Sequence, residues 1–464
     1  MNKYSADTIV AQATPPGYGG ISVIRISGDQ TANVAQQVLG QLPSPRYAHY
    51  LSFYDDKGCI IDKGITLWFP APNSFTGENV LELHSHGSPI VINMLLKSIS
   101  KLPEVRIAKP GEFTERAFLN NKIDLIQAEA IADLINATSE QAARAAFHSL
   151  QGTFSDKIRL LKEMLSNLRM FLESDINFPN EYDINYLSKK EIEDNLNKII
   201  KLLNEVCTIS SKGTLLREGR KVVIIGAPNV GKSTLFNTLV GKSIAIVTDY
   251  AGTTRDMLHE YINIDGMLLH IIDTAGLHKT NNIVEQIGIQ RAIQEIKTAD
   301  HIILVVKNNE SLDLTADLSI IFPQFSDKIP PSVPLTIINN LIEINNNRCP
   351  SSQLRRFSSR VIINLSAKTG KGIELLRDHL KNTLENINTT EGIFMARQRH
   401  LQALSLALSH LEQGKKEFIT NHSYSYEFLA EELRLTQEAL SDLIGKDSSK
   451  DLLKKIFSKF CIGK

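Results

Sequence analysis

The spacing of apolar residues changes along the chain, and each spacing predicts a different kind of structure. Between about residues 8 and 118, short apolar runs are separated by Gly and Pro, which is typical of strands joined by turns. The expected strands are Ile21–Ile26, Ile65–Phe69 and Val80–Leu83. Residues 1–120 are therefore predicted to form an α+β domain.

Helical spacing follows over residues 121–216. Leu125–Leu150 is rich in Ala and is predicted to be helical. From Ile158 to Leu172 the apolar residues repeat at steps of three and four, which places them on one helix face. Ser188 and Glu191 form a capping box ahead of a second run with the same spacing. This segment is predicted to be the first half of a helical domain.

Residues 217–380 alternate strands with helices, and helical spacing returns over residues 381–464. Asp265-Gly266 between two apolar runs predicts a hairpin. Continuous apolar runs are typical of buried parallel strands, and they occur at Val222–Ile225, Leu268–Ile272, Ile302–Val306, Leu335–Ile338 and Val361–Leu365. The predicted fold class is α/β plus α+β, with an α/β domain inserted into a helical-bundle domain.

Composition narrows the kinds of partner that we expect. The 51 Lys and Arg residues balance the 51 Asp and Glu residues, so no global positive field favours nucleic acid. Any RNA contact would be local or supplied by a partner. The four cysteines are scattered, and neither a signal peptide nor a long apolar stretch is visible. A soluble cytoplasmic protein is expected.

The octapeptide Gly-Ala-Pro-Asn-Val-Gly-Lys-Ser at residues 226–233 stands between a predicted strand and a predicted helix. In that context the loop curls its backbone N–H groups around a phosphate chain, while Lys232 reaches the β and γ phosphates and Ser233 binds Mg²⁺. A nucleoside triphosphate is the expected ligand. The nucleotide-binding residues predicted here are Asn229, Val230, Gly231, Lys232, Ser233 and Thr234.

Three further motifs follow at strand ends or between strands. Asp273-Thr274-Ala275-Gly276 is suited to the magnesium and the γ-phosphate, and Ser366-Ala367-Lys368 to the base. Between the octapeptide and Asp273, Gly252-Thr253-Thr254-Arg255-Asp256 is predicted to be a switch loop, in which Thr254 would supply a second hydroxyl ligand to Mg²⁺. The order predicts a Ras-like P-loop G domain. Its further nucleotide contacts are predicted to be Thr248, Asp249, Tyr250, Ala251, Gly252, Thr253, Thr254, Asp273, Thr274, Ala275, Gly276, Asn339, Ser366, Ala367 and Lys368.

Two departures from the usual G-domain pattern stand out. Leu277 occupies the place of the glutamine that orients water in Ras-like enzymes, so the catalytic group must come from elsewhere. Asn339-Asn340-Leu341-Ile342 stands where Asn-Lys-x-Asp normally reads guanine. Loss of the aspartate would weaken GTP binding roughly 10²- to 10³-fold. Glu343 would substitute if the loop were shifted by one residue.

Long motifs elsewhere extend the pattern over nearly the whole chain. They are Asp7–Gly17, Arg25–Gly28, Ser74–Glu78, Lys109–Phe118, Lys122–Leu125, Gln127–Ala130 and the terminal Cys461-Ile462-Gly463-Lys464. With these motifs the chain resembles the tRNA modification GTPase MnmE (TrmE) family.

The resemblance implies a set of cofactors and partners. Members of the family have an N-terminal domain that dimerises and binds 5-formyl-tetrahydrofolate or a related one-carbon folate. They join a flavin-dependent subunit, MnmG (GidA), in a heterotetramer that places an aminomethyl-type substituent on C5 of the wobble uridine of tRNA. Their G domains use Mg²⁺ and dimerise across K⁺.

The same resemblance assigns roles to residues of this chain. Potassium would be bound by Asn229, Thr248, Tyr250 and Thr253, and folate by Arg25, Glu82, Lys122 and Lys464. The catalytic residues would be Glu285, which positions water, and Cys461. Taken singly, Glu285 is a solvated helix charge and Arg25 a structural ion pair. Whether Cys461 is a nucleophile or a structural contact stays open.

Two other functions fit part of the pattern. A nucleotide-binding scaffold with impaired GTP selectivity or hydrolysis is suggested by the altered guanine motif. A ribosome-assembly GTPase would share the G domain, but it would need an RNA-binding module after residue 380, where only amphipathic helices are expected.

Overall fold

The computed structural model describes residues 7–177, 187–241, 258–264, 267–274, 283–307, 317–322, 326–340, 354–357, 360–384, 392–420, 425–445, 450–458, 460 and 463. The chain divides into two compact units. One comprises Met1–Ala132, Ser149–Leu203 and Ala403–Lys464, and the other Asp133–His148 and Asn204–Gln402. The domain boundaries that the sequence suggests at residues 120, 216 and 380 remain predictions.

Strands and helices are numbered in chain order. The strands are β1 Thr8–Gln12, β2 Gly19–Ser27, β3 His49–Tyr54, β4 Ile60–Phe69, β5 Val80–Gly87, β6 Val105–Ile107, β7 Arg220–Ile225, β8 Leu258–Ile264, β9 Met267–Asp273, β10 His301–Lys307, β11 Leu335–Asn340, β12 Leu354–Phe357 and β13 Arg360–Leu365. The helices are α1 Thr31–Leu39, α2 Pro89–Ile99, α3 Glu112–Leu119, α4 Leu125–Ile135, α5 Glu140–Leu150, α6 Thr153–Asn177, α7 Lys189–Glu218, α8 Lys232–Gly241, α9 Ile283–Lys297, α10 Leu318–Ile321, α11 Ile373–Leu384, α12 Gln398–Thr420, α13 Ser425–Ile444 and α14 Lys450–Phe457.

The first unit contains a six-stranded sheet in the order β3-β4-β5-β2-β1-β6. All of its neighbours pair antiparallel except β1 and β6, which are parallel. Apolar residues of α1 and α2 pack with β2 and β5 in one buried cluster. The three strands predicted from the sequence are confirmed, and with them a mixed sheet covered by helices.

The helices follow the predicted spacing, with one interruption. The apolar positions from Ile158 to Leu172 are buried on α6. The capping box is confirmed, since the Ser188 N–H donates to Glu191 Oε2 at 2.8 Å and the Glu191 N–H donates to Ser188 Oγ at 3.2 Å. Leu125–Leu150, predicted to be helical throughout, is split into α4 and α5 because Ser139 Oγ accepts the Ala142 N–H and starts a new helix. None of the described helices combines the length and apolar character that a membrane crossing requires.

The second unit is built on a seven-stranded sheet in the order β12-β13-β11-β10-β7-β9-β8. Strands β7, β9, β10, β11 and β13 pair in parallel, which confirms the five predicted parallel strands. Strands β8 and β9 pair antiparallel, as the predicted hairpin requires. Helix α8 packs on one face of the sheet and α9 on the other. Strand β11 continues to Asn340, two residues beyond its predicted end.

The chain enters and leaves this sheet at one place. Arg217 Nε, before β7, and Arg397 Nη2, before α12, each lie 2.9 Å from Oδ1 of the buried Asp133. Nearby, a Cβ at Gly213 would lie 2.0 Å from the carbonyl oxygen of Phe394, so only glycine fits there. The two chain segments therefore run side by side where the sheet begins and ends.

Candidate functional site

The loop between β7 and α8 is shaped by its glycines. Gly226 has a φ of 151°, and a Cβ there would lie 2.4 Å from the carbonyl oxygen of Val305 in β10. Asn229 and Gly231 also have positive φ, of 62° and 95°. This left-handed backbone costs little for Gly and is tolerated by Asn. The loop therefore lies tight against the carboxyl edge of the parallel sheet, where α/β proteins bind ligands.

Three polar side chains meet below this loop. Lys232 Nζ donates to the Ala227 carbonyl oxygen at 2.8 Å, and Ser233 Oγ donates to Asp273 Oδ2 at 2.7 Å. Burial lowers the pKa of Lys232, although the charge of Asp273 opposes this. Burial likewise raises the pKa of Asp273, against the Ser233 hydrogen bond and the Lys232 charge. An anionic phosphate beside Lys232 would favour its ionised form, and a cation beside Asp273 would favour the ionised carboxylate.

The residues at this point fit a magnesium ion. Asp273 Oδ1 is buried and has no hydrogen-bond partner in the described part of the chain, so one carboxylate oxygen is unsatisfied. Carboxylate and hydroxyl oxygens are the ligands that Mg²⁺ takes, usually together with water and phosphate. Thr274 keeps the end of β9 in place, since its hydroxyl donates to the Ile224 carbonyl oxygen at 2.7 Å.

On the other side of the loop, the two asparagines at the end of β11 make different contacts. Asn340 Nδ2 donates to the Val230 carbonyl oxygen at 2.8 Å, and its Oδ1 accepts the Ala367 N–H at 3.1 Å. Asn339 Nδ2 instead donates to Asn364 Oδ1 at 3.1 Å. Asn340 thus joins the loop between β7 and α8 (residues 226–231, the phosphate loop) to Ser366-Ala367-Lys368. The sequence analysis predicted Asn339 as a nucleotide contact, and that remains a prediction; it did not identify Asn340, whose two contacts depend on tertiary structure.

Several predicted site residues are not placed by the structure. Residues 248–254, Ala275 and Gly276 lie outside the described residues, as do Cys461 and Lys464. The altered motif at Leu341 and Ile342, and Glu343 after it, are also outside them, and so is Leu277. Glu285 belongs to the first turn of α9, but the described part of the chain does not include its side chain. Their roles remain predictions.

The N-terminal sheet brings two of the predicted folate residues together. Arg25 on β2 stands directly opposite Glu82 on β5, and Arg25 Nε donates to Glu82 Oε1 at 2.9 Å. The guanidinium also lies over the rings of Phe75 and Phe113, at 5.5 and 5.9 Å from their centres. A hydrogen bond from His84 lowers the pKa of Glu82, and the charge of Arg25 adds to this against the effect of burial. Glu82 is therefore an ionised acceptor.

Of the other folate candidates, the described residues include Lys122, while Lys464 lies outside them. The side chain of Lys122 packs near Gly77, where a Cβ would meet Lys122 Cε at 3.1 Å. The chain end also returns to the sheet, since a Cβ at Gly463 would lie 2.0 Å from the carbonyl oxygen of Gln12. Gln12 ends β1, and its neighbour Ala11 pairs with Arg25.

Comparison with known proteins adds to this geometry. Two family models match the chain: the GTP-binding protein TrmE N-terminus over residues 8–122 and the MnmE helical domain over residues 125–461. The tRNA modification GTPase MnmE of Erwinia tasmaniensis is 54% identical over 459 residues, which are 99% of each chain. That of Pectobacterium carotovorum is 53% identical over 460 residues, 99% of this chain and 100% of the relative.

A solved structure also resembles part of the chain. The G domain of the T. maritima FeoB iron transporter is 21% identical and covers 36% of this chain and 99% of its own, with a TM-score of 0.25. That score is too low to carry an argument, so the description of the parallel sheet rests on the strand order given above.

Proposed function

The chain belongs to the MnmE family of tRNA modification GTPases; from this premise we propose that it is the GTP-hydrolysing subunit of a complex that modifies the wobble uridine of tRNA. The modification is an aminomethyl or carboxymethylaminomethyl substituent at C5. The observation that carries the proposal is the contact between Ser233 and Asp273 beneath a glycine-shaped loop at the carboxyl edge of a parallel sheet.

The phosphate loop binds the triphosphate of GTP. Its backbone N–H groups and the N-terminus of α8 face the phosphates, and Lys232 moves from the Ala227 carbonyl to a phosphate oxygen. Ser233, Thr254 and Asp273 would hold the magnesium ion. The ion would neutralise charge at the β and γ phosphates. Ser366, Ala367 and Lys368 follow β13 and would contact the base of the nucleotide.

Hydrolysis needs a group in place of the glutamine that Leu277 replaces. In this proposal Glu285 orients the attacking water. Potassium would be held by Asn229, Thr248, Tyr250 and Thr253 and would add positive charge near the transferred phosphoryl group. The exposure of Asn229, which has a left-handed backbone conformation in the phosphate loop, supports this role.

The N-terminal sheet binds the one-carbon folate. The ionised Glu82 accepts hydrogen bonds from the donor-rich edge of a pterin, and Arg25, Lys122 and Lys464 supply positive charge for its carboxylates. The approach of Gly463 to Gln12, the last residue of β1, supports the assignment, because Lys464 is the next residue in the sequence.

The proposed assembly is a cytoplasmic homodimer that joins the flavin-dependent MnmG (GidA) in a heterotetramer and receives tRNA through that complex. Chains 54% identical over their whole length support a shared assembly. The N-terminal domains would form the dimer, and the G domains would meet across potassium.

A second candidate is a nucleotide-binding scaffold with impaired GTP selectivity or hydrolysis. The observation that favours it is the absence of Lys and Asp from Asn339-Asn340-Leu341-Ile342. Steady-state hydrolysis of GTP and of ATP by the purified chain, each in KCl and in NaCl, separates the two. GTP-selective turnover that rises in KCl supports the first function. Turnover that is absent, or indifferent to base and cation, supports the scaffold.

A further inference from the structure

The loop that joins β4 to β5 contacts two of the proposed folate residues. The centre of its Phe75 ring lies 5.5 Å from the guanidinium carbon of Arg25. Two residues later, a Cβ at Gly77 would lie 3.1 Å from Lys122 Cε. Phe75 is 38% exposed, so its ring contributes little to the core of the sheet. Residues 74–78, called the 74–78 segment below, thus border two side chains that carry positive charge.

Polar side chains hold the 74–78 segment to β2 and α3. The hydroxyl oxygens of Ser27, which ends β2, and of Thr76 lie 2.7 Å apart, and both residues are fully buried. Ser27 Oγ also lies 2.7 Å from Glu78 Oε2, which accepts its hydrogen bond. Arg116 of α3 donates from Nη1 to the same carboxylate oxygen at 3.0 Å. Glu78 is therefore the residue through which the segment is tied to both elements.

Arg116 is fixed on α3 by further contacts. Its Nη2 donates to the Asp7 carbonyl oxygen at 2.9 Å and to Glu112 Oε1 at 3.3 Å. Phe113 lies one helical turn earlier on α3 and is fully buried. The centre of its ring is 5.9 Å from the guanidinium carbon of Arg25. The helix that carries Arg116 therefore also contacts Arg25.

The ion pair between Glu78 and Arg116 joins the two elements that contact Arg25. Phe75 belongs to the first element and Phe113 to the second. A loop lacks the backbone hydrogen bonds that fix a strand, so a site that includes a loop is precise only where neighbouring side chains hold that loop. A largely buried ion pair adds little net stability, because desolvation of the two charges offsets their attraction. The position of the loop is what this pair supplies.

We propose that Glu78 and Arg116 are positioning residues of the folate site, which hold Arg25 and Lys122 at the spacing that the carboxylates of the folate require. This role rests on the folate function proposed above. Neither Glu78 nor Arg116 needs to contact the ligand. The two aromatic rings carry their effect to Arg25, and Gly77, next to Glu78 in the chain, carries it to Lys122.

The ion pair also explains how two sequence motifs act together. Ser74–Glu78 and Lys109–Phe118 are distant in the sequence, and neither contains a predicted site residue. Each motif supplies one aromatic ring beside Arg25 and one member of the ion pair. Their common role is therefore to support the site from outside the set of residues that touch the ligand.

The test removes the charge at each end of the ion pair. In the full-length chain, we expect Glu78→Gln and Arg116→Gln each to weaken binding of 5-formyl-tetrahydrofolate roughly 10-fold, with GTP hydrolysis unchanged. The double variant should bind no more weakly than either single variant, because both changes break the same pair. Amide hydrogen exchange of the 74–78 segment should become faster in all three variants.

Arg106→Gln is the matched control. Arg106 Nη1 donates to Glu112 Oε2 at 2.8 Å, so this change also breaks an ion pair of α3 but leaves the pair of Glu78 and Arg116 in place. It should lower the midpoint of thermal unfolding, as the other single variants do. The folate affinity and the hydrogen exchange of the 74–78 segment should stay as they are in the unaltered chain.

Other results would overturn the proposal. If the unaltered chain binds the folate and both single variants bind it equally well, the ion pair does not position the site. A similar loss of affinity in Arg106→Gln would mean that a general loss of stability around α3 is the cause. Absence of folate binding by the unaltered chain would contradict the folate function itself, and the positioning role with it.

Discussion

Ser233 Oγ donates a 2.7 Å hydrogen bond to Asp273 Oδ2, although the two residues are separated by 40 positions in the sequence. They meet because β7, which leads into the phosphate loop, and β9, which ends at Asp273, are neighbours in the sheet. Burial favours the neutral acid at Asp273, so an ionised carboxylate at this position does not stabilise the fold.

Replacing Asp273 should separate function from stability. Asp273→Asn retains an acceptor for Ser233 but removes the charge that supports magnesium. We expect GTP hydrolysis to fall roughly 10²- to 10³-fold, as it does when a group that stabilises transition-state charge is removed. The midpoint of thermal unfolding should stay the same or rise, because a buried charge is lost.

Hydrolysis over a range of Mg²⁺ concentrations and a thermal melt are the measurements. Asp378→Asn, an exposed position on α11, is the control and should change neither. A large fall in the unfolding midpoint of Asp273→Asn would show that the carboxylate serves the fold after all.

The two asparagines of β11 should differ in effect. Asn340→Ala leaves the Val230 carbonyl and the Ala367 N–H without their partner, which costs about 1–3 kcal/mol for each buried group left unsatisfied. Nucleotide binding should weaken for every base, because the loops on both sides lose their common support. Asn339→Ala is the matched control, with a smaller loss expected at this half-buried position. Urea unfolding and nucleotide affinity would contradict this expectation if Asn339→Ala were the more damaging change.

This pair also shows where the sequence is insufficient. The apolar run predicted β11 from Leu335 to Ile338, and the strand is there, because hydrophobic spacing records burial. Its extension to Asn340 depends on pairing with Lys307 of β10 and Leu365 of β13, both distant in sequence. No local pattern records such a contact. The same limit applies to Arg25 and Glu82, whose opposition is fixed by the register of β2 and β5.

Acid should destabilise the fold through a buried histidine. His301 on β10 is fully buried, its Nε2 is 2.9 Å from Thr336 Oγ1, and Thr336 Oγ1 is 2.8 Å from His379 Nε2. Burial, with a smaller effect of His379, lowers the pKa of His301 from 6.5 to about 3. Below pH 6.5 the unfolded chain therefore binds a proton that the folded chain does not. Stability should fall by about 1.4 kcal/mol from pH 7.5 to pH 5.5 on this account.

Urea unfolding at the two pH values measures the effect. His301→Gln retains a partner for Thr336 and removes the titrating group, so its loss between pH 7.5 and pH 5.5 should be smaller by that amount. His148→Gln, on α5, is the control and should behave like the unaltered chain. Equal pH dependence in all three would exclude His301 as the cause.

The chain end should be sensitive to a single methyl group. A Cβ at Gly463 would lie 2.0 Å from the Gln12 carbonyl oxygen, and its φ of 93° disfavours other residues. Gly463→Ala should displace the tail from β1 and weaken folate binding, because Lys464, the proposed folate contact, is the next residue in the sequence. GTP hydrolysis should be unchanged.

Gly58→Ala separates the clash from the backbone strain. Gly58 has a φ of 79° but no atom within 4 Å of a built Cβ, so it carries the strain alone. The affinity for 5-formyl-tetrahydrofolate should be normal in this control. Normal affinity in Gly463→Ala as well would show that the tail does not take part in the folate site.

The two ion pairs of Asp133 bear on how the chain could have evolved. Arg217 and Arg397 share one carboxylate oxygen, and Gly213 lies against Phe394, so the ends of the intervening segment are already adjacent. A segment with adjacent ends can be gained or lost by a gene as one cassette, since the chain on either side needs no rearrangement to close the gap.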